Sequence, residues 1–464
     1  MKLLYKIVAL LVLASMVLTA CAAPTATMPP APTNTPVPPK PTATEKPAEP
    51  TAVPTEAPTE VPLGPVLKIG QVTMLSGSMA LYGQQQVEGF RLGLIYASGG
   101  KTDAEGRPVI ANRPVEVITR DDEGNPEKSA QIARELIENE GVEILQGTVS
   151  SAATLAISPI ALEYKTILMV DPAASYLITG AYFNPYVFRT SRTSFDDVMT
   201  VAKYLVDNGG TKFAHLGVDN AFGQGSGTAL KYAVGQYGGE VVKEVYAPLD
   251  TTDFTPYIQD LMTSDAEVLF LTWSGVGYVQ LFDQLQEQGA TEQFIVATGF
   301  GDNASFAAVF GAAIGQIGLN VYHYTVPSNP VNDWLVEHHK ADNGGVPPDL
   351  FTAGGFSAAL ALAGALEITA GDATGDVLMT ALEGLTFEGP KGTYHIRPED
   401  HVCEQPMNIV KLVNLDPDLD DDNVPEYAWF ETVYVSGTTE LGIPCTLVDP
   451  YLSRCGDLPL VPAP

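Results

Sequence analysis

The residues of this chain best suited to chemistry are short runs of serine, threonine, glycine and aspartate at points where apolar strands end. They are Leu75-Ser76-Gly77-Ser78, Thr148-Val149-Ser150-Ser151, Asp171-Pro172-Ala173-Ala174-Ser175, Trp273-Ser274-Gly275 and Thr298-Gly299-Phe300-Gly301-Asp302. Ser150 and Ser151 stand just before a helical segment, where hydroxyls and free backbone N–H groups together can hold a carboxylate. Plain helix capping is the competing reading, since serine at that position caps in any protein. The chemistry offered is capture of a small polar group, not bond breaking. Gly299-Phe300-Gly301-Asp302-Asn303-Ala304 fits a dinucleotide fingerprint only superficially, because no βαβ unit with a ribose acid follows it. There is no P-loop, no G-x-S-x-G elbow and no H-E-x-x-H pair. His338 and His339 are adjacent and read as a solvated helix face, so the histidines support neither acid–base nor metal catalysis. Asp416, Asp418, Asp420, Asp421 and Asp422 alternate at calcium-ligand spacing, but the loop lacks the central glycine and closing glutamate. A solvated acidic loop is the preferred reading there, with calcium left open. No cofactor and no metal site is expected.

The elements that must position these turns alternate short β-branched runs with amphipathic helical segments, the mark of an α/β sheet with crossover helices. Strands are expected at Leu67–Val72, Val115–Thr119, Val142–Gln146 and Ile167–Val170. Helices follow around Val87 to Ala97, from Pro126 behind an Asn125 cap, and over Ser151–Tyr164. The alternation restarts with strands at Phe213–Val218, Val241–Tyr246, Val268–Trp273 and Phe294–Thr298, and with helices centred near Leu230, Ile258 and Phe282. Two such series joined near Phe188-Arg189-Thr190 imply two doubly wound, Rossmann-like lobes. Ligands of such sheets bind beyond the carboxyl ends of the strands, which is where the polar turns lie.

The N-terminus sets the address. Lys2 and Lys6 precede an apolar run from Ile7 to Leu18 that is too short to span a bilayer and reads as a removable signal. Leu18-Thr19-Ala20-Cys21 resembles the lipobox of bacterial lipoproteins, which implies cleavage after residue 20 and a lipid on Cys21; an ordinary signal peptide cut near Ala20 or Ala23 is the alternative. Residues 21–65 are rich in Pro and Thr and cannot bury enough surface to offset ordering, so a polyproline-like tether of up to about 130 Å is expected. The net charge is −31, and residues 1–65 carry equal numbers of Lys and Glu, so the acidity belongs to the folded part. That argues against nucleic acid and against docking on an anionic membrane surface. Cys403, Cys445 and Cys455 remain beyond the anchor. Outside the cell a disulfide is permitted; Cys445–Cys455 is the shortest closure and the preferred pair, with the two pairings of Cys403 next.

From Lys68 to about Pro398 the chain resembles the type I periplasmic solute-binding proteins of ABC importers, in the leucine/isoleucine/valine-binding branch. The resemblance rests on an ordered series: Lys68-Ile69-Gly70, Leu75-Ser76-Gly77, Leu81-Tyr82-Gly83, Asp121-Asp122-Glu123-Gly124-Asn125-Pro126, Gly147-Thr148-Val149-Ser150-Ser151, Asp219-Asn220-Ala221-Phe222-Gly223 and Gly389-Pro390. It implies a two-lobed flytrap with three crossovers, near Phe188–Arg192, Leu319–His323 and about Gly389–Tyr394. Lobe 1 would take 66–188 plus about 323–389, and lobe 2 would take 189–322 plus about 390–464 with a C-terminal extension. The family further implies that Ser151, with Ser150 beside it, holds a ligand carboxylate, that the Ala173 carbonyl accepts an ammonium, and that Ser175 helps bind the zwitterion. Tyr82 would line the side-chain pocket, and Trp273 and Ser274 would form an aromatic lid. Amino-acid binders of this branch place an acid after the strand ending at Thr298; here the position reads Thr298 or Gly299, and Asp302 would substitute only if the turn reaches further. The function implied is a non-enzymatic, monomeric, extracytoplasmic lipoprotein delivering a small zwitterion, a branched-chain or other apolar amino acid, to an ABC permease. An amide, carboxylate or aromatic acid as ligand, or a surface sensor, are the alternatives.

Overall fold

The computed structural model describes residues 62–274, 277–299, 301–303, 315, 317–413 and 430–461. The signal segment, Cys21, nearly all of the tether and the aspartates from Asp416 to Asp422 lie outside the described residues.

The first lobe is built on β1 (Leu67–Thr73), β2 (Val109–Ile110), β3 (Arg113–Asp121), β4 (Ile144–Gly147), β5 (Ile167–Val170) and β6 (Val187–Arg189), in the order β2-β3-β1-β4-β5-β6. All neighbours are parallel except β2 with β3. Strands such as Ile167-Leu168-Met169-Val170 are buried along their whole length, as a parallel sheet covered by helices on both faces requires. The crossovers are α1 (Ala80–Ala97), α2 (Pro126–Glu138) and α3 (Ser151–Tyr164). Asn125 caps α2 by accepting from the Glu127 and Lys128 N–H groups, and Pro126 fills the first helical position.

The second lobe begins with α4 (Ser194–Asn208), started by a capping box between Thr193 and Asp196. Its sheet holds β7 (Lys212–Val218), β8 (Glu240–Ala247), β9 (Val268–Thr272) and β10 (Ile295–Thr298), all parallel, in the order β10-β9-β7-β8. Around it lie α5 (Ala221–Gly235), α6 (Thr255–Leu261), α7 (Tyr278–Glu287) and the single turn α8 (Ala290–Gln293). After β11 (Ile317–Asn320) the chain returns to lobe 1 through α9 (Pro330–Asp342), α10 (Thr352–Ile368) and α11 (Gly375–Leu382). Helix α10 lies so close to α1 that a Cβ on Gly89 would fall 2.0 Å from the Thr352 carbonyl oxygen. That approach brings Tyr82, on the first turn of α1, against Phe351, just before α10, edge to face at 4.9 Å.

Several expectations change here. The antiparallel hairpin β12 (Thr386–Gly389) and β13 (Gly392–Ile396), with β14 (Cys403–Glu404), stays with lobe 1, because Tyr394, Ile396 and Cys403 are buried in the same core as Leu67 and Ile167. The third crossing therefore comes after Glu404, where Gln405 Nε2 donates to the Thr190 carbonyl, and not at Gly389–Tyr394. Only then do β15 (Asn408–Leu412) and β16 (Phe430–Val435) join β11 in lobe 2. The C-terminal segment turns back to lobe 1, packing Leu447 and the bonded pair Cys445–Cys455 on Phe183; Cys403 is a buried free thiol. His339 is also not solvated: it is buried with Nδ1 at 2.9 Å from the Val346 carbonyl, while His338 stacks on Trp334.

Candidate ligand-binding site

The carboxyl ends of both sheets face one cleft. Its two halves share Tyr82, Arg192, Phe222, Ser274 and Phe351. Tyr82 and Phe351 come from lobe 1, Phe222 and Ser274 from lobe 2, and Arg192 from the first crossover between them.

The α3 N-terminus forms one wall, with Ser150, Ser151 and Ala152 lining the cavity. Ser150 is the N-cap residue by backbone geometry, yet its hydroxyl makes no capping bond. Ser151 is buried, and its Oγ accepts from the Ser175 N–H at 3.2 Å. The first N–H groups of a helix have no intrahelical partner and carry its positive dipole end, so this wall favours an anion. Opposite it stands the start of α5, where Asn220 Oδ1 accepts from the Phe222 and Gly223 N–H groups at 2.9 and 3.1 Å. Asn220, Ala221 and Phe222 line the same cavity.

Arg192 is the cation of the cleft and is 8% exposed. Its Nε donates to Asp197 Oδ1 and its Nη1 to the Pro172 carbonyl, each at 3.1 Å. Its guanidinium lies over two rings, 5.8 Å from the centroid of Phe222 and 5.6 Å from that of Phe351, within cation–π range of both. Nη2 makes no hydrogen bond among the described residues and is free to meet a ligand oxygen. Burial pushes the Asp197 carboxyl up from its ordinary value, with the Arg192 charge opposing. Sequence reasoning placed Arg192 at a crossover without giving it a role. A lone arginine carries no local signal of burial, and only the convergence of three elements puts it here.

Other anticipated site residues divide. Tyr82, Ser150, Ser151 and Ser274 line the cleft, and Trp273 lines its second half, edge to face on Phe254 at 4.8 Å. Ala173 does not face it: its carbonyl already accepts from Arg189 Nη2 at 2.5 Å and Ser191 Oγ at 2.8 Å, and its neighbours Pro172 and Ala174 form the wall instead. Ser175 is fully buried and turned away, its Oγ accepting from Leu177 N–H at the start of a 3₁₀ turn. Gly299 and Gly301 line the second half, while Asp302 is buried beside Asp349. Thr298, at the position where an acid was sought, turns its hydroxyl to the Gly299 carbonyl at 3.0 Å. Burial holds the Asp349 carboxyl up at about 7, with the Asp302 charge adding to the rise.

Two doubly wound lobes joined by three strands of chain, with a polar cleft between them, define a solute-binding flytrap. The chain belongs to the periplasmic binding protein family, whose model matches residues 66–417. That family is extracytoplasmic and serves ABC transporters without catalysing a reaction. Among the described residues no helix is long and apolar enough to cross a membrane. A Leu/Ile/Val-binding protein homolog of Brucella melitensis is 27% identical over 360 residues, 76% of this chain and 88% of that protein. An ABC-type branched-chain amino acid transporter protein from Rhodopseudomonas palustris is 34% identical with a TM-score of 0.67, covering 82% of this chain and all 100% of that one. A solute-binding protein from another Rhodopseudomonas palustris strain, in complex with 3,4-dihydroxybenzoic acid, is 28% identical with a TM-score of 0.68 over 76% of this chain and 94% of its own.

Proposed function

We propose that this protein captures a small organic carboxylate with an apolar body, lipid-anchored through Cys21 as a monomer, and hands it to an ABC permease by lobe closure. The observation that carries this reading is the α3 N-terminus, its Ser150 hydroxyl spared from capping, in the same cavity as the buried Arg192. A carboxylate bound there meets backbone N–H groups, two hydroxyls and a guanidinium, all donors. Tyr82, Phe222, Phe351 and Trp273 then enclose the apolar body.

Two members of that class have separate support. A branched-chain amino acid fits the names of the relatives. An aromatic acid fits the aromatic walls, the loss of the acid at Thr298 and the dihydroxybenzoate bound by the second neighbour. A thermal-shift screen of residues 66–464 against amino acids, amides, and aliphatic and aromatic acids tests both. A ligand at about 100 times its Kd adds roughly 2.7 kcal/mol, which is easily read. A shift with leucine, isoleucine or valine supports the amino-acid member, and one with benzoates alone supports the aromatic member. A shift with amides but no carboxylate overturns the reading.

A further inference from the structure

A third, small cavity adjoins the cleft, sharing Pro172, Arg192 and Phe351 with one half and Val321 and Leu350 with the other. Its own walls are Asp171, Thr190, Lys391 and Tyr394. Asp171 is 1% exposed, and its Oδ2 makes no hydrogen bond among the described residues; neither does Thr190 Oγ1, which is also buried. A buried carboxylate oxygen without a donor is rare and needs an explanation. The nearby ammonium does not supply one: Lys391 Nζ donates to Gln405 Oε1 at 2.9 Å and to Met407 Sδ at 3.3 Å, and to neither Asp171 oxygen. The carboxylate lies close against the first turn of α10, where a Cβ on Gly354 would fall 2.2 Å from Asp171 Oδ1.

We infer that this cavity is a ligand subsite in which Asp171, with Thr190 beside it, receives a hydrogen-bond donor carried by the solute. The inference rests on the carboxylate reading above and narrows it to acids bearing an ammonium or hydroxyl group. It also supplies an acid in place of the one absent at Thr298, from the other lobe and a different strand end. Burial pushes the Asp171 carboxyl up to about 7 against the charges of Arg192, Arg189 and Lys391, so a bound donor would be its first direct partner.

The test is calorimetric titration of the wild-type protein with two matched pairs, leucine with 4-methylpentanoate and 4-hydroxybenzoate with benzoate. The same titrations are run on Asp171→Asn and on Thr190→Val, which removes only an unbonded hydroxyl and should leave the fold intact. Expected is at least a tenfold preference of the wild type for the donor-bearing member of one pair. That preference should narrow to about threefold or less in Asp171→Asn and fall partway in Thr190→Val. Equal affinity within both pairs, or a preference unchanged in both variants, overturns the subsite and leaves the carboxylate reading standing. Failure of all four acids to bind, with amides bound instead, overturns both.

Discussion

The two lobes contribute unlike halves to one cleft. Lobe 1 presents an open helix N-terminus with Ser150 and Ser151, whereas lobe 2 presents a helix start whose N–H groups are occupied by Asn220, together with Phe222, Trp273 and Tyr278. Arg192, from the chain between them, faces both. The difference teaches how such a trap can work in sequence. A charged end is worth most where unpaired donors wait for it, so on the proposed function lobe 1 is expected to bind first. The aromatic wall of lobe 2 gains by covering apolar surface once the ligand is seated.

The comparison breaks hardest at Arg192. Replacing it with Met should lower affinity for a bound carboxylate at least about 30-fold, because loss of one partner of a buried charge pair costs roughly 2–5 kcal/mol. The variant should also melt earlier, since Asp197 is left buried without its partner. Calorimetry showing a loss under tenfold would move the anion away from Arg192. Next in size is the lobe 2 wall: Phe222→Ala should weaken binding by about 2 kcal/mol through lost apolar contact and lost stacking on Arg192. That loss should be similar for charged and uncharged probes, which distinguishes covering from anchoring. Ser151→Ala should cost about 1–2 kcal/mol, on carboxylates only. Unchanged affinity there would assign Ser151 to its bond with Ser175 alone.

The smallest effect is on stability without ligand, and it belongs to lobe 1. Asp171 and Asp349 have folded-state values near 7, raised by burial. Between about pH 4 and pH 7 the folded state keeps protons on these acids that the unfolded state has released, so their contribution to stability falls as pH rises through that window. Burial holds the His215 and His323 imidazoles down to about 4 and about 3, which raises stability over the same interval, so the check is the difference between variants. The Tm of Asp171→Asn relative to the wild type should be about 1–3 °C higher at pH 7.5 than at pH 5.5. A difference that does not change with pH would contradict the burial of this acid.

Much of the frame was legible in the chain. Strand Ile167–Val170 and helix Ser151–Tyr164 fall where β-branched runs and helical spacing placed them, and Asn125 caps where Asn-Pro marks a start. Ser150 was legible too, because a strand end followed by a helix start shows itself in local pattern, whereas Tyr82 came from the family resemblance alone. What stayed hidden were choices between equivalent groups. Nothing near Ala173 in sequence says that its carbonyl is taken by Arg189, and nothing near Gly389 says that the hairpin stays with lobe 1 until Cys403 is buried.

The sequence by itself determined the α/β alternation, the two series and the polar strand-end turns, because these follow from periodicity and capping within a dozen residues. Only the tertiary structure decided which side chains share the cleft. Arg192, Phe222 and Phe351 are brought together from a crossover and both lobes, and Asp171 Oδ2 is buried with no donor among the described residues. Burial and hydrogen-bond occupancy depend on contacts between distant segments, and no local pattern of residue types encodes them.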